Sequence, residues 1–99
     1  MQRGKDAPYW RVLDGVLDSI RTGTYPPSGR VPSESALAER YGVSRSTISR
    51  VMEKLRWIGL VVGPAGGIAR VAPEPRRTRA LALVDEADQL RAEAAGDLP

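Results

Sequence analysis

The fold is decided by residues 34–53, which read ESALAERYGVSRSTISRVME. Gly42 divides this stretch, because glycine readily adopts the positive φ that a tight corner between two helices needs. Ser33 and Ser44 each stand where a helix N-cap is expected, and Gly59 suits the end of the second helix. The apolar residues that would lock the two helices together are Leu37, Val43, Ile48 and Val51. The stretch predicts a helix-turn-helix motif, with an ordinary αα-corner inside a helical core as the alternative.

Another helical pattern precedes this motif. Pro8 suits a first helical turn, because its missing N–H has no intrahelical partner there. Gly23 suits the helix end, and residues 25–29 (YPPSG) predict a turn-rich connection. Gly15 costs this helix about 1 kcal/mol relative to Ala, a cost that is either tolerated or allows close packing. Apolar residues at three- and four-residue spacing predict one buried stripe: Tyr9, Val12, Leu13, Val16, Leu17 and Ile20.

The residues after the motif predict a β-hairpin and a further helix. Residues 60–62 (LVV) and 68–71 (IARV) flank the turn sequence GPAGG. We expect residues 76–79 (RRTR) to form a linker and a helix to run from about residue 80 to residue 95. One face of that helix carries a weak heptad-like seam, formed by Leu83, Ala87, Leu90 and Ala94.

Composition excludes most routes to catalysis. The 99 residues include no Cys and no His, so thiolate or imidazole metal sites and Cys-His or Ser-His-Asp nucleophiles are absent. No metal or cofactor is expected. Asp14 and Asp18 lie four residues apart on one predicted helix face, a spacing compatible with paired carboxylates, but nothing in the sequence supplies a pocket or a partner base. We therefore do not expect an enzyme.

Charge points weakly to a polyanionic partner. The net charge is only +3, yet residues 30–72 carry 7 basic and 3 acidic side chains. Of the 15 cations 13 are Arg, which suits bidentate contacts to phosphate or guanine, although coding bias would give the same count. The longest apolar runs are too short to span a bilayer and the N-terminus lacks an apolar signal segment. We expect a cytoplasmic protein without membrane contact.

The helix that follows Ser44 carries the candidate DNA-reading side chains. Its first turn offers donors from Arg45, Ser46, Thr47 and Ser49, and that part of a recognition helix reaches base edges in the major groove. Arg45 is the best base reader, with a solvated Arg beside Glu39 or Glu53 as the alternative. Arg50 is a candidate phosphate clamp. Glu53 is expected to form an ion pair with Arg50 or Arg56 rather than to read cytosine.

From Tyr9 to Val71 the sequence resembles the N-terminal winged helix-turn-helix domain of the GntR family of bacterial transcriptional regulators. The resemblance rests on three matching stretches: GTYPPSGRVPSE at 23–34, LAERYGVSRSTI at 37–48, and Leu55 with GLV at 59–61. It implies a mainly α fold, in which a three-helix core and a small β-hairpin wing are followed here by a short C-terminal helix. It also implies a homodimer that binds a palindromic operator in double-stranded DNA.

The resemblance also assigns DNA contacts by position. They fall on Ser35, Arg45, Ser46, Thr47, Ser49 and, at the wing tip beside Gly67, on Gly66. The family often has Arg at positions 35 and 49, so two guanidinium contacts are missing here and the operator should differ. Arg70 stands in a wing sequence that departs from the family pattern; it reaches a phosphate or the minor groove, or simply faces solvent on an edge strand. Further phosphate contacts are expected from Arg30, Ser33, Arg40 and the helix N-terminus at Ser44.

The sequence thus predicts two parts, a DNA-binding domain at 1–75 and a linker with a short helix at 76–99. The second part is too short to enclose a metabolite pocket, so no effector-binding domain is visible and we expect a minimal regulator or an excised domain. Trp10 and Trp57 are candidate dimer contacts; packing against the wing or the N-terminal arm is the alternative. The function expected is transcriptional repression in the bacterial cytoplasm, at the nucleoid when bound to DNA, and its rival is a winged-helix protein-interaction module.

Overall fold

The computed structural model describes residues 7–96. Within them the chain forms α1 (Ala7–Thr22), α2 (Glu34–Tyr41), α3 (Arg45–Ile58), β1 (Val61–Val62), β2 (Arg70–Val71) and α4 (Arg76–Gly96). None of these helices combines the length and the apolar composition needed to cross a bilayer. Residues 1–6 and 97–99, which the sequence assigns to the ends of the two predicted parts, lie outside the described residues.

The helix-turn-helix motif is confirmed at both of its caps. The Ser33 hydroxyl accepts a hydrogen bond from the Ala36 N–H at 3.1 Å, and the Ser44 hydroxyl accepts one from the Thr47 N–H at 3.2 Å. Gly42 ends α2 with a φ of 66°. A left-handed conformation of this kind is costly for residues with a Cβ, so glycine is what lets the chain reverse between the two helices.

The core lies where α1 and α3 meet. Both predicted stripes are buried, and the side chains of Val12, Ile20, Leu37, Ile48 and Leu55 have no solvent exposure at all. Tyr9 packs at the edge of this core and is half-buried. Burial of each such aliphatic side chain contributes about 1.5–3 kcal/mol, so the α1–α3 contact fixes the orientation of α3.

Gly15 allows a close approach between α1 and α2. A Cβ built at this position would lie 3.0 Å from Cζ of Tyr41 and closer still to its hydroxyl oxygen. Burial raises the pKa of the Tyr41 phenol, which is consistent with its position against the helix. Of the two interpretations of Gly15, close packing is therefore confirmed.

The two strands of the wing are shorter than predicted, and an earlier segment of the chain also pairs with β2. β1 and β2 pair antiparallel over two residues each, with Val61 opposite Val71 and Val62 opposite Arg70. On the other side of β2, Arg30 forms a bridge with Arg70, and the Val31 N–H donates to the Ala69 carbonyl at 2.9 Å. The end of the predicted turn-rich connection thus pairs with β2, because Gly29 also accepts from the Val71 N–H at 2.8 Å. Arg70 consequently lies between two pairing partners, so the alternative that puts it on an edge strand is not observed, although its side chain is exposed.

The predicted linker at 76–79 was also wrong, since α4 begins at Arg76. Arg77 lies against the end of α1, and its Nη2 donates to the Ile20 carbonyl at 3.1 Å. Ala80 and Leu81 are buried in the core, whereas Leu83 and Leu90 of the predicted seam are 63% and 59% exposed. Capping and packing of its first turns therefore attach α4 directly to the core. The seam's Ala94 side chain lies outside the described part of the structure.

Candidate nucleic-acid interface

The start of α3 presents its polar side chains to solvent. Arg45 occupies the first helical position and is exposed, as are Ser46 and Ser49, while Thr47 is half-buried. We call these four residues the reading surface. The Arg45 guanidinium has no hydrogen bond or ion pair with any side chain of residues 7–96, so the alternative that pairs it with Glu39 or Glu53 is not observed. Its donors are available to an incoming ligand.

Hydroxyl groups cluster around the N-cap of α3. The Ser44 hydroxyl oxygen lies 3.1 Å from that of Ser46 and 3.0 Å from that of Thr47, and it also accepts from the Thr47 N–H. Either member of each hydroxyl pair can be the donor. The network therefore fixes the positions of these oxygens but leaves the directions of their hydrogens free to adapt to a ligand.

Ser49 lies one turn beyond Arg45 and contacts the other helix of the motif. Its hydroxyl donates to Oε1 of Glu34 at 2.8 Å. Glu34 is the first residue of α2 and is half-buried. The sequence analysis did not predict this contact. The signal for it is geometric, because the helix-turn-helix corner brings the start of α2 beside the fifth residue of α3.

Two arginines stand opposite each other beside the wing. Arg30 and Arg70 form a backbone bridge, which places their side chains on the same side of the sheet. Nη1 of Arg70 donates to the Ser28 carbonyl at 3.2 Å, while Arg30 is exposed and has no side-chain partner among the described residues. Like charges directly opposite on neighbouring strands are destabilising. A phosphate between them would remove that repulsion.

Two other candidate arginines lie apart from the reading surface. The Arg50 guanidinium lies over the ring of Tyr9, 4.7 Å from its centroid. Nη1 of Arg40 donates to the Tyr25 hydroxyl at 3.1 Å. Arg50 thus connects α3 to α1, and Arg40 connects α2 to the turn before it. Both side chains remain exposed, so each can still contact a phosphate. Ser33 and Ser35 lie at the start of α2, both exposed, and Ser33 serves as its N-cap.

The wing tip is held in place by a residue that the sequence interpretation assigned elsewhere. Nε of Arg56 donates to the Gly63 carbonyl at 2.9 Å, and its Nη2 donates to the Pro64 carbonyl at 3.3 Å. Glu53 forms no ion pair with either arginine among residues 7–96, so that expected pair was wrong. Gly66 and Gly67 are exposed at the tip, and Gly66 has a φ of 75°. Arg56 thus connects the end of the recognition helix to the wing.

An apolar groove lies on another face of the molecule. It has a volume of about 880 Å3 and lies between α1, α3 and α4, with Trp10, Leu17, Trp57 and Val84 among its lining residues. Trp10 packs at the edge of the core and makes an edge-to-face contact with Tyr9, at 5.2 Å between ring centroids. Trp57 is 82% exposed, so it does not pack against the wing.

The candidate interface is made of hydrogen-bond donors. Within residues 7–96, no three acidic side chains lie close enough together to hold a metal ion. Asp14 borders the groove and Asp18 is exposed on the same helix, so the two carboxylates do not share a pocket. The arrangement offers guanidinium and hydroxyl groups, the donors that recognise phosphates and base edges.

The family comparison matches this part of the chain. Residues 8–69 match the family model described as "Bacterial regulatory proteins, gntR family". Among curated proteins, the histidine utilization repressor of Pseudomonas putida is 38% identical over 93 residues, which are 93% of this chain and 37% of that protein. The histidine utilization repressor of Pseudomonas aeruginosa is 39% identical over 85% of this chain and 34% of its own length. The chain spans just over a third of the length of these relatives.

Solved structures match the same architecture. The AraR DNA-binding domain in complex with operator ORE1 has a TM-score of 0.62 and 32% identity, covering 66% of this chain and 79% of that one. A GntR family transcriptional regulator from Listeria monocytogenes has a TM-score of 0.70 and covers 90% of this chain and 77% of that one. Because its identity is only 23%, that second likeness shows the fold alone.

Proposed function

The chain belongs to the gntR family of bacterial regulatory proteins, and on that premise we propose that it is a repressor that binds a specific operator in double-stranded DNA. The observation that carries the proposal is the unpaired Arg45 guanidinium, exposed at the first position of α3 beside Ser46 and Ser49. Arginine donates two parallel hydrogen bonds to O6 and N7 of guanine, the commonest base-specific contact in the major groove. Occupation of a promoter by the bound protein would block transcription.

Phosphate contacts would set the register of α3 in the groove. The N-termini of α2 and α3 present backbone N–H groups next to Ser33 and Ser44, and such termini attract anions. The Arg30 and Arg70 pair would hold a phosphate beside the wing, while Gly66 and Gly67 allow the backbone of the tip to approach the DNA closely. These contacts position the protein, and the reading surface selects the bases.

In this proposal the protein forms a homodimer, and the second copy covers the apolar groove. Trp57 and Leu83 line the groove and remain 82% and 63% exposed, and Leu90, seven residues further along α4 than Leu83, is 59% exposed. Contiguous apolar surface of this kind marks an interface more often than it faces water. Light scattering of the chain at tens of micromolar should give a dimer, and Leu83→Glu together with Leu90→Glu should give a monomer. A strict monomer in the unsubstituted chain would contradict this part of the proposal.

Selection of bound duplexes from random DNA tests the function itself. We expect one palindromic motif whose half-sites are separated by a helical turn, because a two-fold symmetric dimer presents two copies of α3. Binding should also weaken steeply with salt, since each neutralised phosphate releases a counterion. Salt-insensitive association with a protein partner and no enriched DNA motif would instead support the interaction-module alternative. A protein with this DNA role would act in the cytoplasm, on the nucleoid when bound to its operator.

A further inference from the structure

The contact between Ser49 and Glu34 fixes the direction of one hydroxyl on the reading surface. The Ser49 hydroxyl donates to Glu34 Oε1 at 2.8 Å, across the corner between α3 and α2. A serine hydroxyl has one hydrogen and two lone pairs, whereas an ionised carboxylate has only acceptors. Once its hydrogen points at Glu34, Ser49 presents only lone pairs to anything that approaches from outside.

This fixed polarity distinguishes Ser49 from its neighbours. Ser44, Ser46 and Thr47 share hydrogen bonds in which either hydroxyl can donate, so they can adapt to a base-pair edge of either kind. Glu34 is held in place because it occupies the first turn of α2, where the positive end of the helix dipole favours a carboxylate. The direction of the Ser49 hydrogen is therefore set by the folded protein before any ligand arrives.

Ser49 also lies in the right place to read a base. It follows Arg45 by four residues, so the two side chains lie on one face of α3, one turn apart. Arg45 has only donors and matches the acceptors O6 and N7 of guanine. The neighbouring Ser49 has only acceptors available, and the donors that a major groove offers are the amino groups at N6 of adenine and N4 of cytosine.

We propose that Glu34 is a positioning residue that holds Ser49 as a hydrogen-bond acceptor, so that Ser49 selects a base with an exocyclic amino group. The selected base lies next to the one that Arg45 reads. This inference rests on the proposed function, because it needs α3 in the major groove. The family often has Arg at position 49, where this chain has Ser. The inference gives that difference a role, because a hydrogen-bond acceptor then replaces a donor and the preferred base changes.

The experiment compares the duplexes that six proteins select from random DNA: the unsubstituted chain, Ser49→Ala, Glu34→Ala, Glu39→Ala, Glu34→Gln and the double variant Glu34→Ala with Ser49→Ala. Glu39 is the matched control, since it is an exposed carboxylate on the same helix and lies outside the proposed interface. The unsubstituted chain should prefer one orientation of the base pair at one position per half-site, since each base pair carries its major-groove amino group on one strand only. Ser49→Ala should reduce that preference about three- to tenfold, the effect of one hydrogen bond, at that position alone.

Glu34→Ala should relax the same position, because the freed hydroxyl can then donate to O6 of guanine or O4 of thymine. Glu34→Ala combined with Ser49→Ala should change the preference no further than Ser49→Ala alone. Glu39→Ala should keep the full motif, while Glu34→Ala should bind scrambled DNA more tightly than Glu39→Ala does, since only Glu34 lies beside the reading surface. Thermal melting of each variant identifies any loss of fold. Glu34→Gln keeps the side-chain shape and an amide oxygen that can accept from the Ser49 hydroxyl, so it should relax the position less than Glu34→Ala does.

Two results would overturn the inference while leaving the proposed function intact. The preference at every position is unchanged in Ser49→Ala, or it is unchanged in Glu34→Ala. Absence of any enriched motif for the unsubstituted chain is a different failure, because it overturns the proposed function and this inference together.

Discussion

Two helices of this protein begin with similar basic, hydroxyl-rich sequences and use them in opposite ways. α3 begins with Arg45-Ser46-Thr47, and its arginine is exposed without a described partner. α4 begins with Arg76-Arg77-Thr78-Arg79, and the Arg77 side chain is only 15% exposed. Arg77 donates to Glu74 at 2.7 Å and to the Ile20 and Arg21 carbonyls at 3.1 and 3.4 Å.

The difference originates in the residues before each helix. Ser44 caps α3 with a neutral hydroxyl that accepts from the Thr47 N–H. This cap forms no hydrogen bond with the Arg45 side chain. Glu74 supplies a carboxylate to α4, where it accepts from the Thr78 hydroxyl at 2.7 Å and from the Thr78 N–H at 3.1 Å, besides pairing with Arg77. Positive charge at a helix start is therefore not enough to identify a binding site. Exposed donors that the folded chain leaves unsatisfied are the better criterion, since the one unpaired nitrogen of Arg77, Nε, is buried.

The largest expected effect concerns how firmly α4 is attached to the core. Leu81 is 9% exposed and Leu83 is 63% exposed on the same helix. We expect Leu81→Ala to lower the free energy of unfolding by about 2–3 kcal/mol, because it leaves a cavity at the core edge. Leu83→Ala is the matched control and should change it by less than about 0.5 kcal/mol in the monomer. Equal, small effects in urea denaturation would mean that α4 is not part of the folded core.

The next effect separates the two arginine-rich helix starts directly. Arg45→Ala should weaken binding to the operator by about 1–3 kcal/mol and relax preference at one base pair. Arg79→Ala removes the same charge from an exposed position at the start of α4 and should leave the base preference unchanged. Fluorescence anisotropy on operator and scrambled duplexes measures both. An equal loss on the two duplexes for Arg45→Ala would show that Arg45 touches only phosphate.

A smaller effect tests the packing that holds α2, and with it the recognition helix. Gly15→Ala should lower the free energy of unfolding by about 1–2 kcal/mol, because the new methyl group collides with the Tyr41 ring. In a Tyr41→Ala background the same substitution should stabilise by up to about 1 kcal/mol, the gain in helix propensity. Thermal melts of the four proteins form the double-mutant cycle. Additive effects would contradict the contact.

The smallest effect is a pH dependence at the start of α4. The hydrogen bond from the Thr78 hydroxyl, helped by the Thr78 N–H and Arg77, lowers the pKa of Glu74 below its ordinary value of 4.5. A carboxyl with a lowered pKa stabilises the folded state above its unfolded value, and that contribution disappears as the pH falls through the folded value. The melting temperature should therefore fall more on acidification in the unsubstituted chain than in Glu74→Gln. Parallel acid profiles would contradict this role.

Local patterns in the sequence predicted much of this structure because local chemistry determines it. Ser33, Ser44, Gly42 and Gly59 set the helix ends by capping and by positive φ, and both properties can be read from neighbouring residues. The apolar stripe of α1 follows from helical periodicity for the same reason. The fold followed from these signals, and the family from the resemblance of residues 23–34 and 37–48.

The features that sequence analysis missed depend on residues distant in the chain. Arg77 finds its carbonyl partners 57 and 56 residues away, on α1, so RRTR looked like a linker. Arg70 pairs with Arg30, which lies 40 residues earlier in the chain. Ser49 contacts Glu34 because the corner between α2 and α3 brings the two residues together. The candidate residues of α3 are brought together as expected, whereas Arg50 is placed over Tyr9 by packing that no local pattern encodes.

The central claim is that the reading surface selects a DNA sequence. Its most direct test titrates the unsubstituted chain onto a duplex with the selected motif and onto a scrambled duplex of equal length and composition, at two salt concentrations. The account predicts that affinity falls with salt on both duplexes and that the motif is preferred by at least about a thousandfold. Equal affinity for the two duplexes, or affinity that does not change with salt, would contradict it.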